Sequence, residues 1–418
     1  MMRKILIVGA GQGGLQLGLS LLAVGYDVTI ISARTPEEIR AGRVMSTQCM
    51  FWPSLQIERD LGLNLWEDRA PKIVAQGLTV AASPGNAAFG FIGRWRDFAQ
   101  SVDQRVKMAG WLELFEARGG KVVYHGAMTS DLAGLSSLYE LTIIAAGKGE
   151  LVELFDRDHS RSPYDRPQRT LAAIYVHGMT PVPEHPEPYV RITANPGLGE
   201  LIYMPGYTHT GACGILLWEA VPGGPLDCWD DRPGVQEHLD RALRLMREYA
   251  PWEYDNCVNA VPTDARSNLI GGYTPIVRHP VGRLSATSLV LGMADVVVAN
   301  DPVTGQGANN AARCAAIYHQ AIVEHGERPF DAEWMQRTFD TYWDYAGHVT
   351  AYTNMMLGPL PDHVQRILAT AAESQAVGDR FAHGYADPTD FQGWLMDPDK
   401  TDAYLSSVAP GAAGPAAR

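Results

Sequence analysis

The chain has little cysteine and scatters what it has. Among its 418 residues only Cys49, Cys213, Cys228, Cys257 and Cys314 occur, an odd number without a C-x-x-C pair. Such spacing implies neither a disulfide framework nor a cysteine zinc site. Positive charge is also scarce, with 34 Lys and Arg against 47 Asp and Glu, a formal net charge of -13 and no basic run. A surface that tracks nucleic-acid phosphates needs a dense cationic face, so nucleic acid is excluded as a partner. No apolar run is long enough to span a bilayer, and Gly9 interrupts the first one too early for a secretory core. The expected setting is therefore the cytoplasm, without membrane attachment. What the chain does have is 46% hydrophobic residues and 42 glycines, material for two or three packed layers or sub-domains.

The opening segment is a β-branched run, KILIV, followed by Gly9, Gly11 and Gly14, by Leu15, Leu19 and Leu22 at helical spacing, and by a second strand, DVTII. This is a βαβ unit carrying G-x-G-x-x-G in its proper context. Gly9 permits the tight turn, Gly11 lets the backbone approach a pyrophosphate, and Gly14 lets the helix lie close on the strand, with the helix N-terminus facing the anion. A carboxylate is missing where the second strand ends. Ser32 stands there, followed by Ala33 and Arg34, and a neutral hydroxyl holds a ribose less firmly than a carboxylate does. Arg34 suits the extra phosphate of NADP, which stays open as a rival.

The chain then reads as apolar and loop-rich to about Gly93. A helix is expected around 102–118, built on Val106, Leu112, Leu114 and Phe115 and stopped by Gly119 and Gly120. KVVYH and YELTIIAAGKG read as strands. From Gln168 to about Val221, short runs punctuated by Pro and Gly predict a mostly antiparallel sheet inserted into the first domain. A helix over Val235–Tyr249 follows, with Leu239, Ala242, Leu243 and Met246 on one face. Residues 282–323 return to the nucleotide domain through a strand, an acidic residue, a glycine loop and an Ala-rich helix. Beyond Phe330 the chain turns helical and aromatic-rich, ending in small-residue coil. No internal repeat is present.

A lone GAGQGG fits NAD, NADP and FAD alike. The downstream segment LGMADVVVANDPVTGQGANNA discriminates, because it places Asp295 after a strand and Gly305, Gln306 and Gly307 at the start of a helix. Asp295 can then hydrogen-bond a ribityl chain while the helix N-terminus faces a flavin. The pattern Gly292, Asp295, Pro302, Gly305, Gln306, Gly307 resembles the third FAD motif of the flavoprotein hydroxylase superfamily. The resemblance implies a Rossmann-like α/β FAD-binding domain over 1–167 and 270–330. It also implies a mostly β substrate domain over 168–269, a C-terminal helical region over 331–400 and a flexible tail over 401–418. Arg105 sits where that superfamily has a flavin-contacting arginine, and Arg43, Gly147, Ala308 and Asn309 join the implied cofactor set. Many single-component members carry a DG pair after the middle strand, where this chain reads AAGKGE. A second Rossmann fingerprint for NADPH is also missing, so the chain lacks its own means of reducing a flavin.

GAGQGGLQLGL, LFEARGGKVVYH, LTIIAAGKGELVELF and NDPVTGQGAN together resemble the epoxidase component of two-component styrene and indole monooxygenases, to about residue 400. The resemblance implies a separate NADH-dependent flavin reductase that supplies reduced FAD by diffusion, and it leaves room for a homodimer. O2 is the co-substrate, and a C4a-hydroperoxyflavin, shielded from water, epoxidises an aromatic alkene. No general acid or base is required; the backbone at Val303 and Thr304 would be the nearest polar group to the reacting oxygens.

Substrate preference is implied by RVMSTQCMF, where Ser46, Gln48 and Met50 match the indole-preferring branch and not the Asn, Val and His of styrene-preferring relatives. Ile73 and Ala99 join that pocket, while Gln76 stands where an apolar residue is expected. Other readings are a single-component NAD(P)H hydroxylase, a flavin-dependent halogenase, for which FIGRWRDF around Trp95 is a poor match, and a non-catalytic flavin carrier.

Overall fold

The structure is a computed structural model that describes residues 3–147, 149–285 and 288–408. The opening unit is β1 (Lys4–Val8), α1 (Gln12–Ala23) and β2 (Asp27–Ser32). The chain then makes a long hairpin, β3 (Ile73–Ser83) and β4 (Asn86–Ala99), then α2 (Gln104–Ala117), β5 (Lys121–Tyr124) and β6 (Leu141–Ile144). Four strands follow: β7 (Thr170–His177), β8 (Tyr189–Asn195), β9 (Gly199–Thr208) and β10 (Gly211–Ala220). After α3 (Val235–Tyr249) come β11 (Asn268–Gly272), β12 (Val281–Arg283), β13 (Leu289–Gly292) and α4 (Gly307–His325). The C-terminal helices are α5 (Ala332–Met356), α6 (Asp362–Glu373), α7 (Gln375–Ala386) and α8 (Pro398–Val408).

These elements form two main sheets. The six-stranded sheet has the order β12-β13-β6-β1-β2-β5, parallel except for β12 on β13. Ile5, Leu6, Ile7 and Val8 are all buried, as expected of a strand covered by helices on both faces. Gly18 lets α1 sit on this sheet, since a Cβ there would stand 2.8 Å from Ile30 and 3.0 Å from Phe115.

The eight-stranded sheet runs from a short strand at Val261–Pro262 through β7, β10, β9, β8 and β3 to β4, with β11 also on β7. It is antiparallel except for β3 on β8. One face packs on α3 through Ile174, Leu216 and Trp218; the other meets the C-terminal helices through Ile192, Met204 and Ile215.

Two expectations change. The stretch read as loop-rich contains the β3–β4 hairpin and a helix at Trp52–Asp60, so the second sheet draws strands from before residue 168 as well as after it. Helix α8 occupies the start of the segment expected to be a flexible tail, where Tyr404 packs on Trp394 at 4.8 Å; residues 409–418 lie outside the described residues. Among the described residues, no helix is long and apolar enough to cross a membrane.

Candidate functional site

The turns that leave β1, β6 and β13 converge at one end of the parallel sheet, where doubly wound folds bind their ligands. Gly9, at φ +122, brings the first turn so close to the β6 turn that a Cβ would stand 2.7 Å from the backbone of Ala145 and Ala146. At Gly14 it would stand 2.1 Å from the carbonyl oxygen of Gly9. At Gly147 it would meet Asp295, 2.9 Å away, so the ends of β6 and β13 touch as well. Gly11 and Gly307 differ from these, because a Cβ at either would have nothing within 4 Å. Two glycines required by packing frame one that faces open space, and a second open glycine begins α4. This is the cradle that a pyrophosphate and a flavin need, so these residues fit FAD.

Beneath α1 lies a polar network that the glycine pattern does not reveal. Gln12 Nε2 donates to Glu58 Oε1 at 3.1 Å, and Lys107 Nζ, on α2, donates to the same oxygen. Gln16 Nε2 donates to Ala312 O at 2.9 Å, tying α1 to α4. Glu58 and Lys107 are both buried, and such pairs are costly to break because one charge is left unpaired.

The expected cofactor side chains divide by what already holds them. Ser32 Oγ donates to Arg34 O at 2.6 Å, closing a local turn. Arg34 and Arg43 are both exposed; Arg34 reaches Met45 Sδ at 3.2 Å and Arg43 reaches Asn268 Oδ1 at 2.7 Å. Asp295 is exposed at the mouth of the crevice. Arg105 is buried, with Asp103 2.7 Å and Asp264 3.0 Å from its Nη2 and with Thr208 Oγ1 accepting at 3.3 Å. Desolvation lowers its pKa, but the hydrogen bonds it donates to Asp264 and Asp103 outweigh that and raise it, so Arg105 locks α2 to the end of β9 and to the loop before β11. Asp264, remote in sequence, carried no local signal.

The loop into α4 is held as firmly. Asp301 Oδ1 accepts from Val303 N at 3.1 Å and caps a 3-10 turn at Pro302–Thr304. Gly305 closes that turn at φ +64, a conformation that favours glycine. Thr304 Oγ1 meets Thr353 Oγ1 at 2.6 Å, and Gln306 Nε2 donates to Tyr385 O at 2.6 Å. Asn309 Oδ1 accepts from Phe51 N at 2.9 Å while its Nδ2 donates to Cys49 O at 2.7 Å. Its amide is thus spent on the segment that carries Ser46, Gln48 and Met50.

The six substrate candidates do not form one cluster. Ser46 Oγ donates to Gln48 Oε1, Gln48 Nε2 donates to Val102 O, and Tyr175 OH donates to Ser46 O at 2.8 Å. Ile73 and Ala99 are buried register partners on β3 and β4, in the same core as Phe51 and Tyr175. Met50 packs elsewhere, with Leu55, Ala312, Phe98 and Ala308, which joins it to the first turn of α4. Gln76 is buried on β3, where its side chain reaches Tyr385 on α7. A cavity of about 230 Å³ lies beyond this floor, between the 178–188 loop and Tyr189, Arg191 and Tyr203. Val176 and Tyr203 on its wall pack with the α3 side of the sheet, so this cavity is separate from the crevice. Burial pushes the thiols of Cys49 and Cys213 up to about 12, which removes thiolate chemistry near neutral pH.

The fold is shared with flavin enzymes of known structure. A variant of the flavin-dependent brominase Bmp2 matches 96% of this chain and 98% of its own with a TM-score of 0.66 at 13% identity. The p-nitrophenol 4-monooxygenase PnpA of Pseudomonas putida matches 93% and 98% with a TM-score of 0.61 at 11% identity. At these identities the likeness shows a shared fold. A family profile described as "Styrene monooxygenase A putative substrate binding domain" matches residues 147–256. The styrene monooxygenase StyA of Pseudomonas fluorescens is 30% identical over 98% of this chain and 99% of its own. The chain belongs to the styrene monooxygenase family.

Proposed function

We propose that the chain is the oxygenase of a two-component system, that it receives reduced FAD from a separate NADH-dependent flavin reductase, and that it epoxidises indole at C2=C3 in preference to styrene-type alkenes. Bound reduced FAD would supply two electrons to O2, one oxygen atom passing to the alkene and the other leaving as water. The protein's part is to bind, orient and exclude water. Gly9, Gly11 and Gly14 bring main chain to the pyrophosphate, Asp295 offers an exposed carboxylate to the ribityl chain, and the N-terminus of α4 faces the ring. Val303 and Thr304 present backbone at the reacting edge, held in place by Asp301 and Thr353.

The observation that carries the indole reading is the Ser46–Gln48 pair. Gln48 Oε1 accepts one hydrogen bond from Ser46, and a carbonyl oxygen has a second lone pair, free to accept an indole N–H. Tyr175 reaches Ser46 O beside it, and Tyr175 shares an apolar core with Ile73, Ala99 and Phe51, which suits a flat aromatic ring. Styrene has no N–H and would leave that lone pair unmatched.

Supplying reduced FAD, O2 and each substrate in turn tests the reading. Oxygenated indole should form faster than styrene oxide, and NADH alone should be consumed only when a reductase is added. Rapid NADH or NADPH oxidation by the isolated chain would instead indicate a single-component hydroxylase.

A further inference from the structure

Glu200 on β9 and Glu219 on β10 are direct register partners, on the face of the sheet that meets the C-terminal helices. Like charges directly opposite one another are unfavourable. Glu200 is answered by Arg169, whose Nε and Nη2 donate to its two oxygens at 2.8 and 2.9 Å. Glu219 has no such answer. It is fully buried and neither of its carboxyl oxygens has a hydrogen-bond partner among the described residues.

A third carboxyl, Asp301, is 1% exposed. Its Oδ1 caps Val303 N, while its Oδ2 has no partner among the described residues. Of the three acids, Glu200 is hydrogen-bonded to Arg169, while the charges of Asp301, Glu200 and Arg169 all act on Glu219, and Tyr164 and Tyr385 feel the same cluster. Burying an uncompensated charge costs several kcal/mol, on the order of 3–5, and protonation avoids it. Burial and the neighbouring acids push Glu219 well above the usual carboxyl range, and burial pushes Asp301 up to about 7. Glu219 accepts no N–H, whereas Asp301 accepts one from Val303, so the proton resides on Glu219.

We propose that Glu219 and Asp301 form a proton-holding pair that positions the Pro302–Thr304 turn against the flavin, with protonated Glu219 satisfying Asp301 Oδ2, directly or through one water, while Asp301 Oδ1 caps Val303 N. Both are positioning residues. Loss of the shared proton puts two charges side by side behind the turn and loosens the cap. The proposal rests on the flavin reading of the crevice, but the proton can be followed without any flavin.

Above its ordinary carboxyl pKa near 4 the unfolded chain has released these protons, while the folded chain keeps one. The pair's contribution to stability, read as the wild type against Glu219→Gln, should therefore fall as pH rises from about 4 through 7 and beyond. Denaturant unfolding of the flavin-free chain should show that fall in the wild type. Glu219→Gln, which stays neutral and can still donate to Asp301, should flatten it. FAD affinity of the wild type should drop roughly tenfold between pH 7 and pH 9, as one linked proton permits, and should stay level in Glu219→Gln. Identical stability slopes in wild type and Glu219→Gln would overturn the pair. A flattened slope with pH-independent FAD binding in the wild type would overturn its link to the flavin turn.

Discussion

The parallel sheet buries Ile5, Ile7, Ile143 and Leu291 without burying a charged side chain, whereas the eight-stranded sheet buries Gln76, Glu219 and the Arg191–Glu253 pair, joined at 2.6 Å. The first would meet a ligand with main chain, exposed by glycines that take up no room. The second would meet one with side chains that must themselves be held. A site of the first kind fails when something is added, and a site of the second kind fails when something is removed.

Additions should be felt first at the glycines, and there the effect depends on what a Cβ would meet. Gly11→Val should abolish FAD binding while leaving the melting temperature of the flavin-free chain near wild type, because its Cβ enters open space. Gly14→Val should also lose FAD, but through the fold. A Cβ placed 2.1 Å from Gly9 O cannot be relieved by rotating a side chain, and overpacking of this kind costs about 1–3 kcal/mol or more. Equal melting temperatures for the two variants would erase the distinction between a ligand-facing and a packing glycine. Removals act on the other sheet. Asp103→Ala should cost about 3 kcal/mol in denaturant unfolding, since Arg105 loses one of its two carboxylates in a buried setting. A loss under 1 kcal/mol would return Arg105 to the role of a flavin contact held in reserve.

Smaller effects test specificity. Gln48→Val should lower the indole-to-styrene ratio of kcat/KM by about tenfold, an unmade buried hydrogen bond being worth roughly 1–3 kcal/mol. An unchanged ratio removes Gln48 from discrimination. Asp295→Ala should weaken FAD binding least, by about 0.5–1.5 kcal/mol, because an exposed hydrogen bond exchanges readily with water; isothermal titration would read this directly.

The opening βαβ unit, the return through Asp295 and helix α3 were legible because each rests on a local pattern, glycine spacing or apolar periodicity. The β3–β4 hairpin was not, and its glycines explain why. Gly77, Gly90 and Gly93 look like loop punctuation, yet they sit inside strands where something approaches closely. A Cβ at Gly93 would stand 2.1 Å from Gly378 O on α7, and one at Gly77 would stand 3.0 Å from the Tyr189 ring. A glycine that admits a neighbour reads like a glycine that makes a turn. Arg105 shows the other limit: the family resemblance implies a flavin contact there, and Asp264 joins Arg105 as a partner only through the fold. Glu219 and Asp301 are likewise ordinary acids until two sheets and a loop bring them together.

Asn309 has a consequence for the order in which ligands load. One amide grips Cys49 O and Phe51 N while its backbone belongs to the first turn of α4. Were that turn to shift around a cofactor, the 46–51 segment would move with it, and an empty crevice and a filled one would present different walls to an incoming aromatic ring. Binding effects of this kind are reciprocal: if flavin improves the affinity for indole, indole must improve the affinity for flavin by an equal free energy. Asn309→Ala should uncouple the two, leaving each affinity insensitive to the other ligand, and the chain would then spend reduced cofactor whether or not an alkene was waiting.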